Sequence, residues 1–297
     1  MQMTLPVSKK AILITGASTG IGKACALHLS KHGYKIFAGV RNVEAGEALI
    51  LESSRAVSPV LMDITKPEEI CHATGLISQA LENDTILMGL INNAGVAIGG
   101  PLEYFPLCDL RYQIEVNLVG QLAVIQSFLP LIRKGKGRII NMGSVCGQFA
   151  LPFSGAYSAS KFALEGATDA LRRELLPWKI EVSLIELGAI ATPIWDKILD
   201  KAHKQDYRPL NSEEDLYQEY GGAVEKMMKI GSTRAISPLI VAKLVKQILE
   251  TKRPRPRYTV GKDARLGSLS RFIPDRWNDW IIYNVVQNRL PSFFMGW

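Results

Sequence analysis

Residues 9–15 read KKAILIT, and residues 16–22 continue with GASTGIG. The first piece is a short apolar run with the pattern of a buried strand. The second is a glycine-rich turn, and a helical stretch follows it through His32. Gly16 allows a tight turn, Gly20 lets the backbone approach a pyrophosphate, and Gly22 lets the helix pack close to the sheet. The opening helix offers free N–H groups and a positive dipole end to phosphates. Gly16, Ser18, Thr19, Gly20, Ile21 and Gly22 are therefore candidate nucleotide contacts. Three glycines in a loop are often only a turn; placement directly after the first strand sets this one apart.

Outward from that turn the same rhythm repeats. Residues 34–40, 57–62, 86–91, 138–142 and 180–185 read as strands, and 257–260 as a final one. Helical spacing covers 67–82, 106–133, 154–177 and 238–251. Strands alternating with helices predict right-handed βαβ crossovers, hence a doubly wound α/β sheet of parallel strands covered on both faces. The rhythm breaks after Gly188. Residues 192–235 mix Trp195, Ile198, Leu199, Leu216, Tyr217, Tyr220, Met227 and Met228 with many charges, which predicts one or two amphipathic helices.

Composition narrows the function classes. The 297 residues are 47% hydrophobic and 21% charged, which excludes a disordered or fibrous chain. No uncharged apolar run approaches the roughly 18–20 residues that span a bilayer, and residues 1–10 lack the apolar core of a secretory signal. The net charge of +7 favours anionic partners. Cys25, Cys71, Cys108 and Cys146 are widely spaced and no Cys/His cluster exists, so neither a disulfide framework nor a metal site is expected. Four reduced, packed thiols fit a reducing compartment, most simply the cytoplasm. From Lys252 onward the chain becomes basic. Trp277, Trp280, Ile281, Ile282, Tyr283, Phe293, Phe294 and Trp297 then follow. That mixture suits an anionic membrane surface, a subunit interface, or a helix packed on its own domain. No recognition motif for nucleic acid accompanies the charge.

Two further sites carry chemistry. The second strand ends in Gly39-Val40-Arg41-Asn42, with no acidic residue to bind a ribose 2′-hydroxyl. The fork of Arg41 can instead pair with a 2′-phosphate, which favours NADP with NAD as the alternative. Asp63, with Ile64 beside it, is placed to meet the adenine amino group. Tyr157 and Lys161 stand four residues apart and share one helix face. Ser144 lies just past the fifth strand. A tyrosine doing acid–base work near neutral pH must fall below its free value of about 10, and a neighbouring ammonium favours that.

Together these residues resemble the short-chain dehydrogenase/reductase family. The matches are TGASTGIG at 15–22, NNAG at 92–95, Asn117, Ser144 and YSASK at 157–161, in the family's order and spacing. The resemblance spans roughly 9–260. It implies a Rossmann-like, three-layer single domain with seven parallel strands, and hydride transfer between a nicotinamide and a carbonyl or alcohol. It gives Tyr157 the proton, Ser144 the substrate oxygen, Lys161 the nicotinamide ribose and a lowered tyrosine pKa, and Asn117 a relay water. Asn93, Ala94 and Gly95 would line the cofactor, with Gly188 and Thr192 beyond the sixth strand. One departure is Leu187, where the family usually has proline before Gly188. Residues 1–261 would form the catalytic domain, 193–237 its helical substrate cover, and 262–297 a basic, aromatic extension. The run from Phe37 to Arg41 and the extended C-terminus resemble the branch of retinol, hydroxysteroid and 3-hydroxybutyrate dehydrogenases. The expected substrate is a lipophilic carbonyl or alcohol, steroid- or retinoid-like. The rivals are a 3-oxoacyl thioester reductase and a non-catalytic NADP-binding sensor. Family habit implies a homodimer or homotetramer.

Overall fold

The computed structural model describes residues 9–81, 85–196, 198 and 216–287. Strand β1 (Lys9–Ile14) points Ala11 and Leu13 to one side and Ile12 and Ile14 to the other, and all four are fully buried. A strand with no polar face needs helices on both sides. The chain supplies them in alternation: α1 (Gly20–Ser30), β2 (Lys35–Val40), α2 (Val43–Glu52), β3 (Val57–Leu61), α3 (Pro67–Ala80) and β4 (Thr85–Asn92). The second half gives α4 (Leu107–Ile114), α5 (Gly120–Gly135), β5 (Arg138–Met142), α6 (Gly155–Glu174) and β6 (Glu181–Leu187). Then come α7 (Leu216–Thr233), α8 (Pro238–Glu250), β7 (Arg257–Val260), α9 (Lys262–Gly267) and α10 (Asp275–Val286). The seven strands are all parallel in the order β3-β2-β1-β4-β5-β6-β7, so the winding reverses between β1 and β4.

Each face has its own core. On one side Ile12, Ile14, Ile36 and Ile140 meet Cys25 and Leu29 of α1 and Val241 and Val245 of α8. On the other, Leu13, Phe37 and Leu90 meet Ile77 of α3 and Ile125 and Phe128 of α5. Arg138 at the foot of β5 donates to the carbonyls of Ile248 and Thr251, closing the C-terminal end of α8 with a cation.

The structure departs from the sequence reading in several places. Helix α2 had no counterpart there, although Asn42 caps it by accepting the Ala45 N–H at 2.9 Å. The single helix expected over 106–133 is two helices joined by a π-turn at Glu115–Val119. Among the described residues, Leu107–Gly135 is the one helix long and apolar enough to cross a membrane. Its inner side carries Val116, Asn117, Gln121, Ile125 and Phe128, all buried, so much of that apolarity faces the sheet. The expectation of four packed thiols fails: Cys25 is buried and Cys146 part-buried, but Cys71 and Cys108 are exposed on α3 and α4. The first eight residues, Leu199, Phe293, Phe294 and Trp297 lie outside the described residues, as do the side chains of Leu216, Tyr217, Tyr220, Met227 and Met228.

The C-terminal segment packs on its own domain. Helix α9 contacts β7, α10 contacts α7, and Ala264, Val285 and Val286 are buried. Its outer side leaves Leu266, Leu269, Phe272, Trp277 and Trp280 exposed.

Strand β7 is tied to α6 and β6 by a charge cluster. Arg257 reaches Glu165 at 3.2 Å, Asp169 at 3.1 Å and Glu186 at 3.3 Å. Asp169 is also reached by Arg172 and Arg173, at 3.3 and 3.6 Å, which leaves Glu165 and Glu186 to share Arg257. Burial, then repulsion from Glu186, pushes the Glu165 carboxyl up from its ordinary 4.5 to about 7, against the pull of Arg257. The folded chain therefore holds a proton more tightly than the unfolded chain. The associated stability is present below pH 4.5 and is lost as pH rises through 7. Glu165→Gln should raise the melting temperature at pH 8, by an amount corresponding to about 2 kcal/mol, and leave it nearly unchanged at pH 4.5. Thermal melts at both pH values test this.

Candidate active site

The carboxyl ends of β1, β4, β5 and β6 all open on one edge of the sheet, and the reversal between β1 and β4 leaves a crevice there. Two hydrogen-bond sets hold the crevice in shape. The buried Thr15 hydroxyl accepts the N–H groups of Asn93 and Ala94 at 2.9 and 3.0 Å. The Asn93 amide donates to the carbonyls of Thr15 and Gly16, both at 3.0 Å. Asn93 therefore spends its side chain fixing the glycine turn. Gly16 sits at φ +62°, and a Cβ there would lie 2.8 Å from the Ala94 Cα. A Cβ on Gly22 would strike the Gly16 carbonyl and the Asn93 amide, so this glycine serves the close approach of α1 to the sheet.

The resulting groove, about 350 Å³, is lined by Gly16, Ser18, Thr19, Gly20 and Ile21, then by Arg41, Asp63 and Ile64, and on the far side by Asn93, Ala94, Gly95, Tyr157, Lys161 and Thr192. Arg41 is exposed at the end of β2. Asp63 Oδ1 accepts from the Thr65 N–H and hydroxyl at 3.0 and 2.8 Å. Burial opposes its ionisation, but the Thr65 bonds, then the charges of Arg41 and Lys66, hold its carboxyl below the ordinary range. The fit to a dinucleotide is good: a cradle that a Cβ would fill, a helix N-terminus at its floor, and an arginine and a carboxylate where the adenosine half would lie. Among the candidates from sequence, Gly22, Asn117, Ser144 and Gly188 do not line this groove; Ser144 and Gly188 line the adjoining cavity instead.

That second cavity, about 200 Å³, opens on Ser144 and Tyr157. Its walls are mostly apolar: Ile98, Phe149, Leu151, Trp195, Val224 and Val286 among them. The Ser144 hydroxyl lies near enough to Tyr157 to favour its ionised form. Lys161 is buried, donates to the Met142 carbonyl at 2.9 Å, and stands 5.8 Å from the centre of the Tyr157 ring. The electrostatics differ from the sequence expectation. Burial, then repulsion from Cys146, holds the Tyr157 phenol above the ordinary tyrosine range, and the Ser144 hydroxyl only partly offsets this. Burial also brings Lys161 down to about 8. Lys161 is not among the groups that lower the tyrosine; a positive charge bound in the groove would act in that direction.

Asn117 sits in the π-turn and is fully buried. It exchanges hydrogen bonds with Val96, both at 2.8 Å, and donates to the Ser160 hydroxyl at 3.0 Å. Its side chain thus secures the loop after β4 to α6. Two titratable side chains of the cavity had no place in the site read from sequence. Cys146 follows Ser144 by two residues, and burial keeps its thiol above the ordinary range. Asp263, from α9, brings a carboxylate into the cavity wall. No spacing rule links a residue so late in the chain to a serine at 144. Leu187, in place of the family's proline, keeps its loop in shape through neighbours: Gly188 N–H donates to the Val260 carbonyl at 2.9 Å, and Ala191 N–H to Ile236 at 2.9 Å.

Comparison with known proteins agrees with this geometry. The family model described as short chain dehydrogenase matches residues 10–203. A 3-amino-tetrahydro-pyrrolizinone reductase of Xenorhabdus hominickii is 36% identical over 260 residues, covering 87% of this chain and 89% of that protein. Retinol dehydrogenase 5 of Mus musculus is 32% identical over 302 residues, covering 97% and 93%. A short chain dehydrogenase from Burkholderia cenocepacia J2315, solved in complex with NADP, superposes with a TM-score of 0.71 at 25% identity, covering 94% of this chain and 99% of that one.

The Thr15 hydroxyl gives the sharpest test of the crevice. Thr15→Val keeps the shape and removes the acceptor, leaving two N–H groups without it. Stability should fall by about 2 kcal/mol and NADPH affinity by about tenfold. Denaturant melts and nucleotide fluorescence titration measure the two.

Proposed function

The chain belongs to the short-chain dehydrogenase family, and on that premise we propose an NADP-preferring oxidoreductase of lipophilic ketones, aldehydes or alcohols, steroid- or retinoid-like in character. The observation that carries the substrate class is the apolar cavity opening on Ser144 and Tyr157. The likeness to a retinol dehydrogenase supports it. Arg41 at the end of β2, with no acid there to repel a 2′-phosphate, supports NADP, as does the NADP-bound structural neighbour.

In the proposed reaction, the bound nicotinamide supplies or accepts the hydride. Ser144 holds the substrate oxygen. Tyr157 gives its proton to that oxygen as the carbonyl carbon takes the hydride, and takes the proton back in oxidation. Lys161 holds the nicotinamide ribose. Asn117 fixes the loop beside them and is assigned the water of the proton relay. Initial rates with NADPH and NADH on retinal, ketosteroids, acetoacetate and an acetoacetyl thioester test this reading. Turnover confined to the lipophilic carbonyls, faster with NADPH, is expected; turnover on the thioester alone favours the acyl thioester reductase. Tyr157→Phe should lower kcat by about 10²–10⁴-fold, and Arg41→Ala should erase most of the NADPH preference.

The outer side of α9 and α10 supports a cytoplasmic enzyme that touches an anionic membrane. Leu266, Leu269, Phe272, Trp277 and Trp280 are exposed there beside Lys262, Arg265, Arg271 and Arg276. Exposed Leu107, Tyr112 and Val119, with Phe162 on α6, support a homodimer or homotetramer. Wild-type protein should sediment with phosphatidylglycerol vesicles and not with phosphatidylcholine vesicles. Replacing Trp277 and Trp280 together by serine should weaken that binding about tenfold. Equal binding of the double variant would refute the membrane role.

A further inference from the structure

Asp263 is a part-buried carboxylate in the cavity wall that the proposed reaction does not use. It lies in the first turn of α9, after the turn at Gly261 with φ +114°. It reaches across to the loop after β6, where Oδ2 accepts the Ala189 N–H. A Cβ on Gly188 would collide with both carboxylate oxygens, and a Cβ on Gly261 would collide with Oδ1. The two glycines thus leave a notch that the carboxylate fills. The loop gripped in this way continues backward into the catalytic machinery. Leu187 lines both the nucleotide groove and the substrate cavity. Its carbonyl accepts the Ser144 hydroxyl at 3.4 Å.

An N–H bonded to a carboxylate is held more strongly than one bonded to a neutral oxygen. Removing the acceptor inside a mostly apolar wall leaves that N–H without its partner. The loop would keep its bonds to Val260 and Ile236 but lose the one at the Ala189 N–H, and the Leu187 carbonyl would be held less firmly beside Ser144.

We propose that Asp263 is a positioning residue, which clamps the 187–190 loop so that the Leu187 carbonyl orients the Ser144 hydroxyl, and so makes the C-terminal segment part of the catalytic unit. The kinetic half of the test rests on the hydride-transfer reading; the exchange half does not.

The experiment compares Asp263→Ala and Asp263→Asn with wild type by hydrogen–deuterium exchange of the peptide covering residues 186–191. Asparagine keeps an oxygen for the Ala189 N–H, and alanine does not. Exchange should be about tenfold faster in Asp263→Ala and near wild type in Asp263→Asn. Gly188→Ala, which fills the notch with a methyl group, should show the same acceleration, and it serves if Asp263→Ala does not fold. With NADPH and whichever carbonyl wild type turns over, kcat should fall about tenfold in Asp263→Ala, with the KM for NADPH unchanged and rescue in Asp263→Asn. Unchanged exchange in both Asp263→Ala and Gly188→Ala overturns the clamp. Faster exchange with unchanged kcat overturns the positioning role. A wild type inactive on every carbonyl counts against the functional reading alone, because the exchange data still decide the clamp.

Discussion

The Thr15 hydroxyl sits where the sheet reverses its winding, and the site depends on what it holds together. Parallel strands buried on both faces have only their ends left for chemistry. At the reversal, β1 and β4 leave the sheet side by side with no helix between them. Thr15 and Asn93 close that gap by pairing each strand's exposed N–H and C=O groups with the other strand's side chain. Gly16 then turns at positive φ against Ala94, and the N-terminus of α1 faces the groove. Without that cross-tie the turn would have no fixed shape to present to a phosphate.

The second half of the site is governed by burial. Tyr157 and Lys161 share a helix face, the tyrosine part-buried and the lysine buried, and desolvation dominates both. It disfavours the phenolate and it disfavours the ammonium, so each group leans toward its neutral form. A lysine near 8 is still mostly charged at neutral pH, and it gives that charge to whatever lies in the groove. A cationic group held in the groove would shift the phenol in the direction that Lys161 alone does not.

The sequence made the fold legible because each signal was local. Ile12 and Ile14 against Leu13, the glycine turn, and Tyr157 four residues before Lys161 are read within one element. What stayed hidden depends on contacts between distant elements or on competing short-range signals. Helix α2 is ten residues long with only Gly46 and Leu49 buried, too little apolar periodicity to announce itself. The π-turn at Glu115–Val119 is one turn long, too short for its wider spacing to stand out within a 3.6-residue pattern. The exposed Cys71 and Cys108 defeated an argument from average burial, because thiols on solvent-facing helix positions cost little.

The C-terminal segment shows the same limit from the other direction. Its charge and aromatic content suggested a surface for a partner, and its outer side has that character. Yet its inner side carries Ala264, Gly267, Val285 and Val286, small or branched residues that pack inward. A Cβ on Gly267 would collide with Phe149, so α9 lies directly on a wall of the substrate cavity. Val286 lines the same cavity from α10. One pair of short helices therefore has two faces with different duties: an apolar inner face that completes the cavity, and an outer face of tryptophans and arginines. Composition averages over both faces, and only the fold separates them. The separation also gives the outer surface a consequence for chemistry, since anything that displaces these helices displaces the cavity wall with them.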